Sequence, residues 1–363
     1  MKSDWAPRSL ESWSFVQKVL VDMTETVKKD AETEAELLEG LRVITRVTAL
    51  CTELSVDADP DLPFFFNMCT PSRQIGGPNP DGGYYLAMIR GDRAYRVSGT
   101  RGTTAYLGLQ VLAGVGMTPR RMGAYVSDHD LKLNAGGTFS LLFSAAEPAA
   151  VELDGAQWVP IPDDSSSIVV REYIGDAATE QLATLTIEPV GKVPAPHRLS
   201  DTELAEQFTS MAWTIVKLST LHRTIKPELL TAPNMLITAQ AAELGAADTT
   251  PDNLYMIGTF AISPEESLIL ELKPPETRYW NVTLENIWHE CLEPRLRHSS
   301  VTHKGVQPDA DGLIRIAIGA RDAGRGHWLD TGGRHRGFVV LRWLDNPEPP
   351  HVAVRVVGRD ARR

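Results

Sequence analysis

The chain contains a second, diverged copy of part of itself. Five residue types, Pro, Tyr, Gly, Trp and Arg, follow one another in the same order in two separate stretches. They are Pro80, Tyr106, Gly137, Trp158 and Arg171 in the first copy, and Pro251, Tyr279, Gly312, Trp328 and Arg342 in the second. The successive intervals are 26, 31, 21 and 13 residues in the first copy and 28, 33, 16 and 14 in the second. This agreement predicts that segments 80–173 and 251–344 are two copies of one module, with Tyr106 equivalent to Tyr279 and Trp158 to Trp328.

The repeated segments have the pattern of β-structure. Short runs such as YYLAMI, YRVSG and TFSLLFSA lie between glycine-rich turns, and several alternate polar and apolar residues, as half-buried antiparallel strands do. The strands do not alternate with helices, which argues against a parallel α/β fold. We therefore expect a mainly β protein with added helices: two tandem, related, antiparallel modules of β-sandwich or jelly-roll-like type.

Helical periodicity is confined to two regions outside the repeats. Apolar residues recur at helical spacing over 8–55, which predicts two helices, and again over 200–222. In the second region Ser200 and Glu203 form a capping box ahead of an apolar face that includes Phe208. If that face is buried, Phe208→Ala should destabilise the protein by about 3–5 kcal/mol.

These patterns divide the chain into five parts. We predict an N-terminal helical region over 1–58, a first β-module over 59–176, a helical linker over 177–250, a second β-module over 251–357 and a tail over 358–363.

Composition and charge exclude several classes of function. The formal net charge of −11 argues against a nucleic-acid-binding surface. No apolar stretch is long enough to span a bilayer, and the start of the chain lacks the apolar core of an export signal. The three cysteines are far apart and odd in number, which suits a reducing compartment. We expect a cytoplasmic protein that binds neither nucleic acid nor membrane.

The stretch 285–303 is the first candidate site, because it carries three of the nine histidines beside carboxylates, arginine and tryptophan. Imidazole next to carboxylate is suited to general acid–base chemistry, so His289, Glu290 and His303 are the candidate catalytic residues. Trp280, Trp288 and Arg297 are candidate ligand-binding residues. The alternative is a polar loop with solvated histidines. No spacing predicts a metal site, and the residues identify neither a cofactor nor an oligomeric state.

A second polar cluster lies in the glycine-rich loops before and after the first strands of the first copy. Arginine in such loops can hold a carboxylate or phosphate through two parallel hydrogen bonds. The candidate ligand-binding residues here are Arg73, Asn79, Asp81 and Arg101. The alternatives are surface salt bridges and, for Asp81, a turn-forming role shared with its counterpart Asp252.

Several segments resemble a known family. The stretch PSRQIGGPNPDGGYYLAMIRGDRAYRVSGTRG resembles the N-terminal region of proteins that carry the domain of unknown function 1214. RYWNVTLENIW, RHSSVTH, DADGLIRIAI, HWLDTGGRHRGFVVLRW and NPEPP resemble that domain itself. The resemblance covers roughly residues 60–356 and implies paired β-sandwiches or barrels of bacterial, cytosolic type. It implies no reaction, so it assigns no catalytic residue.

Two classes of function fit these observations. One is an enzyme that acts on a small organic molecule in a pocket formed by the β-modules. The other is a non-catalytic protein whose sandwich binds a small molecule, a carbohydrate or a partner protein. A buried cavity with a histidine–carboxylate pair whose pKa values are shifted would favour the enzyme, and a shallow aromatic strip would favour the binding protein.

Overall fold

A computed structural model of the chain describes residues 6–114, 118, 120–195, 198–224, 227–240, 244, 249–273, 276–345 and 348–358. It shows a mainly β protein with two similar modules and added helices, as the sequence predicts. Residues 359–363 of the predicted tail lie outside the described residues.

Eighteen strands are present in the described residues, nine in each module. Those of the first module are β1 (Phe66–Asn67), β2 (Gly82–Met88), β3 (Ala94–Thr100), β4 (Tyr106–Ala113), β5 (Arg121–Ser127), β6 (Thr138–Ser144), β7 (Gln157–Pro160), β8 (Ser165–Tyr173) and β9 (Thr184–Val190). Those of the second are β10 (Met235–Gln240), β11 (Asn253–Ala261), β12 (Glu266–Leu272), β13 (Trp280–Glu285), β14 (Ser300–Thr302), β15 (Ile314–Gly319), β16 (His327–Asp330), β17 (Arg336–Leu344) and β18 (Val352–Gly358).

The two modules have the same sheet topology. In the described residues the first module has a five-stranded sheet of order β1-β2-β8-β4-β5 and a four-stranded sheet of order β7-β6-β3-β9. The second has the orders β10-β11-β17-β13-β14 and β16-β15-β12-β18, which match strand for strand. Pairing is antiparallel except between β6 and β7 and between β15 and β16, which are parallel in both modules. The shared exception supports a duplication as strongly as the shared order.

The predicted equivalences hold at the level of single residues. Tyr106 pairs with the last residue of β8, and Tyr279 bonds through its carbonyl to the last residue of β17. The Trp158 indole donates to the Ser144 hydroxyl (3.1 Å), at the end of β6. The Trp328 indole donates to the Gly319 carbonyl (3.0 Å), at the end of β15. Both tryptophans therefore tie a short parallel strand to its neighbour.

Each module is a sandwich with its own apolar core. In β8, Ile168 and Val170 point between the two sheets of the first module, whereas Val169 points outward. In β17, Val339 and Leu341 point between the sheets of the second module. Because side chains alternate along a strand, every second residue of the five-stranded sheets remains available on the outer face.

The longer helices pack against one another, and α2 and α4 also pack on the outer face of the first five-stranded sheet. They are α1 (Arg8–Asp30), α2 (Glu34–Thr52), the short α3 (Ala150–Leu153), α4 (Asp201–Ser219) and α5 (Pro227–Thr231). The capping box predicted at Ser200 and Glu203 is present. The buried residues of α4 include Met211 and Ile215, which pack against α1 and α2. Phe208 is only partly buried, at the edge of this contact and 5.2 Å from the Trp13 ring.

The stretch 177–250, predicted as a helical linker, also supplies strands to both modules. β9 pairs with β3 and completes the four-stranded sheet of the first module. β10 pairs with β11 along its whole length and forms an edge of the second. The strand over Thr184–Val190 contains Pro189, which an edge strand accommodates because one side of its backbone needs no partner.

Candidate functional site

The outer faces of the two five-stranded sheets meet around a cavity of about 540 Å³. This volume lies within the range of small-molecule sites. Much of the wall is apolar, contributed by the second module and by the turns after α4. These apolar residues are Leu221, Leu229, Ile237, Leu244, Ile257, Phe338 and Val340.

Equivalent residues of the two modules face each other across this cavity. By strand register, the lining pairs are Met68 with Ala239, Pro78 with Thr249, Tyr84 with Tyr255, and Arg171 with Arg342. The tyrosines are held alike: each hydroxyl accepts the backbone N–H of the residue five positions earlier, at 2.7 Å for Tyr84 and 3.1 Å for Tyr255. Equivalent positions of both modules therefore contribute to the wall of the cavity.

The helices break this symmetry. Leu50 of α2 and Leu218 of α4 pack onto the outer face of the first module and cover it. The residues they cover include Leu86, Leu112 and Val169, and the equivalents of these in the second module are Ile257, Glu285 and Val340. All three equivalents line the cavity instead. The same sheet surface is thus filled in one copy and open in the other.

A histidine–carboxylate pair lies at one side of the cavity. Nδ1 of His289 is 2.7 Å from Oε2 of Glu285, whose side chain is almost wholly buried. The other carboxylate oxygen, Oε1, has no hydrogen-bond partner among the described residues and lies 3.7 Å from Nη2 of Arg342. The imidazole stacks on the Phe338 ring at a centroid distance of 4.3 Å. Because Nδ1 is engaged by Glu285, Nε2 is the nitrogen left to meet a ligand.

The loop of His289 is fixed by the glycine-rich loop of the first module. The N–H groups of Gly76 and Gly77 both donate to the His289 carbonyl, at 2.9 Å each. His289 has a φ of 58°, in the left-handed region that non-glycine residues rarely adopt. Gly77 also has a positive φ of 61°, and a Cβ there would lie 2.9 Å from Oε1 of Glu285. Glycine is required at 77 because the carboxylate occupies the space that a side chain would take.

The two equivalent arginines are bound by side chains from equivalent positions. Arg171 donates to the Gln110 side chain, and Arg342 donates to the Thr283 hydroxyl at 3.3 Å. Arg342 also donates to the Gly77 carbonyl at 2.6 Å. Burial opposes the charged form of Arg342, but the neighbouring Tyr84 hydroxyl and Glu285 carboxylate outweigh it, and the pKa of Arg342 is raised. A fully charged guanidinium therefore stands beside the histidine–carboxylate pair.

Part of the second module is similar to a known family. Residues 263–348, which contain Glu285, His289 and Arg342, match the sequence model of the family described as protein of unknown function (DUF1214). Comparison with functionally curated proteins gives no match.

Two solved structures resemble the whole chain. One is an uncharacterized protein from Burkholderia cenocepacia, 27% identical, with a TM-score of 0.89 over 96% of this chain and 97% of that one. The other is a protein from Vibrio parahaemolyticus, 12% identical, with a TM-score of 0.51 over 86% of this chain and 96% of that one. The first resemblance covers both modules and the helices, so the tandem fold extends beyond the matched domain.

Of the candidates predicted in the matched segment, His289 alone lines this cavity. Glu290 is buried next to it, but its carboxylate pairs with Arg42 and Arg46 of α2. Trp288 is buried among the helices, where its indole donates to the Glu36 carbonyl at 2.9 Å. Both residues therefore anchor the His289 loop to α2.

The other three candidates of this segment lie elsewhere. Trp280 is inside the second sandwich, with its ring 5.4 Å from that of Trp343. Arg297 forms ion pairs with Glu293 and Asp330 near the surface. His303 packs edge-on against Tyr279 at the contact between modules, where burial lowers its pKa.

The candidate residues of the first module make contacts that hold the structure together. Arg73 binds both carboxylate oxygens of Glu53, at 3.1 and 2.9 Å, and two backbone carbonyls. Asn79 is buried in hydrogen bonds to Tyr279 and Asn281 of the second module. Arg101 pairs with Asp128, which also binds Arg278 of the second module.

Asp81 and Asp252 connect the modules rather than only shaping their own turns. Asp81 is hydrogen-bonded to Ser300 of β14, and burial raises its pKa. Asp252 accepts a hydrogen bond from the Tyr125 hydroxyl of β5 at 2.6 Å. Since β5 and β14 are equivalent strands, the two aspartates form reciprocal contacts across the interface.

Sequence reasoning included Glu285 in the candidate stretch 285–303 but gave it no role, and it assigned neither Arg171 nor Arg342 to a site. The repeat contained a usable signal for Glu285, because its counterpart in the first copy is the apolar Leu112. The arginines occur in both copies, which favoured a structural interpretation. Among the described residues, no group of three metal-binding side chains is arranged around an ion site. No helix in the described part of the chain has the length and apolar character needed to cross a membrane.

Proposed function

We propose that the inter-module cavity binds a small organic molecule and that His289, held by Glu285, moves a proton to or from it. The observation that carries this proposal is the 2.7 Å contact between His289 Nδ1 and Glu285 Oε2 in the wall of an otherwise largely apolar cavity. An apolar cavity with a few convergent polar groups is the usual form of an enzyme's binding site.

The pair has the geometry of an oriented general base. A carboxylate that accepts the Nδ1 proton fixes the tautomer in which Nε2 carries a lone pair. It also stabilises the imidazolium that forms when Nε2 takes a proton. Histidine serves this role near neutral pH because its ordinary pKa lies close to it.

The backbone conformation at His289 favours a functional role over a purely structural one. The positive φ of His289 and the two glycine N–H groups on its carbonyl hold the ring in one place at an energetic cost of about 1–3 kcal/mol for such a conformation. Residues held this way cluster at active sites. Glu285 adds to this, since a buried carboxylate oxygen that has no hydrogen-bond partner among the described residues is costly unless a ligand or water uses it.

The alternative is a non-catalytic binding protein for a small molecule, a carbohydrate or another protein. It would use the same cavity without proton transfer. The cytoplasmic location expected from the sequence belongs to both proposals and stays a prediction.

The first experiment identifies the ligand. The full chain is purified under native conditions, and native mass spectrometry is compared with the mass after denaturation to detect a co-purified small molecule. That molecule is then incubated with the protein in deuterated water, and exchange or conversion is followed by NMR.

The test of mechanism uses His289→Gln and Glu285→Gln. We expect both to bind the molecule while slowing its proton exchange or conversion by about 10²–10⁴-fold, the usual contribution of general acid–base catalysis. His303→Gln is the matched control, because this histidine lies outside the cavity wall. Equal rates in wild type and His289→Gln would refute the catalytic role, and a molecule that is bound but never exchanged would favour the binding protein.

A further inference from the structure

We propose that Arg342 is a positioning residue of the site, whose guanidinium holds both supports of His289 in place. This inference rests on the proposed function for the role of His289, and it adds the residue that fixes the orientation of the ring. The two supports are the Glu285 carboxylate, which faces the imidazole, and Gly77, which is bound to the backbone of His289.

The first support is held by charge. Arg342 Nη2 lies 3.7 Å from Glu285 Oε1, while Oε2 of the same carboxylate lies 2.7 Å from His289 Nδ1. The arginine and glutamate side chains are both almost wholly buried, and opposite charges attract more strongly there than in water. The carboxylate is therefore fixed between a cation near one oxygen and the imidazole at the other, so that Oε2 faces Nδ1.

The second support is held by a hydrogen bond. Arg342 Nη2 donates to the Gly77 carbonyl at 2.6 Å, and the Gly77 N–H donates to the His289 carbonyl at 2.9 Å. Gly77 also lies against the Glu285 carboxylate, because a Cβ there would be 2.9 Å from Oε1. One guanidinium thus contacts the group that orients the ring and the group that holds its backbone.

Arg342 is itself fixed from behind the cavity wall. Its Nη1 donates to the Thr283 hydroxyl at 3.3 Å. Thr283 is wholly buried and is not one of the described residues that line the cavity. A planar guanidinium suits this task because its N–H groups point in fixed directions, whereas lysine presents a single ammonium group on a flexible stem.

The first module contains the same arginine in different surroundings. Arg171 is the equivalent of Arg342, and it donates to the side chain of Gln110, which is the equivalent of Thr283. The equivalent of Glu285 is Leu112, so the position beside Arg171 is apolar. The arginine is therefore common to both modules, whereas the carboxylate that it positions is present in the second alone. Arg171 is the matched control for Arg342.

The tautomer of His289 tests the inference without a ligand. Nitrogen-15 NMR of the full chain, at a pH where imidazole is neutral, shows which ring nitrogen carries the proton. The His289 signals are assigned by their loss in His289→Gln. We expect the wild type to favour the Nδ1–H form by at least about tenfold, because a hydrogen bond to a charged carboxylate holds that proton.

Variants of Arg342 should change this preference. Arg342→Gln should bring the two tautomers to within about threefold of equal populations, because Glu285 is no longer held at Nδ1. Arg342→Lys should restore part of the preference, since it keeps a charge beside Glu285 but cannot make all three contacts. Arg171→Gln should leave the preference unchanged, although it removes an equivalent buried arginine.

Thr283→Val serves if the Arg342 variants do not fold. It loosens Arg342 from outside the cavity wall, so we expect a shift of the tautomers in the same direction and of smaller size. A ring that keeps the wild-type preference in the folded variants of Arg342 or Thr283 would overturn the inference, as would an equal change in Arg171→Gln. If the tautomers shift as expected but His289→Gln leaves proton exchange at the wild-type rate, the proposed catalysis is wrong and the positioning role of Arg342 stands.

Discussion

Two adjacent glycines offer a controlled test of the site geometry. Both Gly76 and Gly77 have positive φ, at 83° and 61°, and both donate to the His289 carbonyl. Their surroundings differ. A Cβ at Gly76 would meet only the Leu221 side chain, at an ordinary 3.5 Å, whereas a Cβ at Gly77 would lie 2.9 and 3.0 Å from the two carboxylate oxygens of Glu285.

The expected magnitudes follow from this difference. Alanine in the left-handed region costs roughly 1–2 kcal/mol, and this applies to both positions. At Gly77 the carboxylate must also move, and it is held between His289 and Arg342. Overpacking of this kind costs typically about 1–3 kcal/mol more. Gly76→Ala should therefore destabilise the protein by about 1–2 kcal/mol and Gly77→Ala by about 2–5 kcal/mol.

The assay is urea unfolding of the two variants and wild type, with the free energies of unfolding compared at one pH. Ring NMR signals of His289 provide a second measurement, which should change in Gly77→Ala and stay close to wild type in Gly76→Ala. Equal destabilisation by the two substitutions, within about 0.5 kcal/mol, would show that the Glu285 carboxylate does not occupy this place.

Two further predictions concern stability. Burial raises the pKa of Glu172 to about 7, from an ordinary value near 4.5. The contribution of Glu172 to the free energy of unfolding is therefore fully present below pH 4.5 and is lost as the pH rises through 7. In urea unfolding, Glu172→Gln should stabilise the protein by about 2 kcal/mol more at pH 8 than at pH 5.5. A flat profile for Glu172→Gln would contradict the assignment. Phe208→Ala should cost nearer 2 than 5 kcal/mol in the same assay, because its side chain is only partly buried; a loss below about 1 kcal/mol would place it at the surface.

Local sequence pattern was enough to predict most of the fold. The repeat gave the equivalence of the modules, because the order and spacing of its landmarks can be compared directly between the two copies. The capping box at Ser200 gave the start of α4, because it depends on residues close together in the chain. The strands β9 and β10 were not recognised within the linker, since each is defined by its pairing with a strand of a module.

The site could be predicted only in part. The stretch 285–303, where ionisable groups concentrate, contains two residues of the cavity wall, Glu285 and His289. Which neighbour faces the cavity depends on contacts remote in sequence: Glu290 is turned toward Arg42 and Arg46, and Trp288 toward Glu36. No pattern within 285–303 contains that information, because the partners lie on a helix near the start of the chain.

The cover provided by the helices decides which of two equivalent surfaces lines the cavity. The two sheets offer equivalent outer faces, and the leucines of α2 and α4 close the face of the first module. If the helices covered the second module instead, Leu112 of the first would stand in the place that Glu285 now occupies. The carboxylate of the proposed site is therefore available because α2 and α4 cover the other sheet.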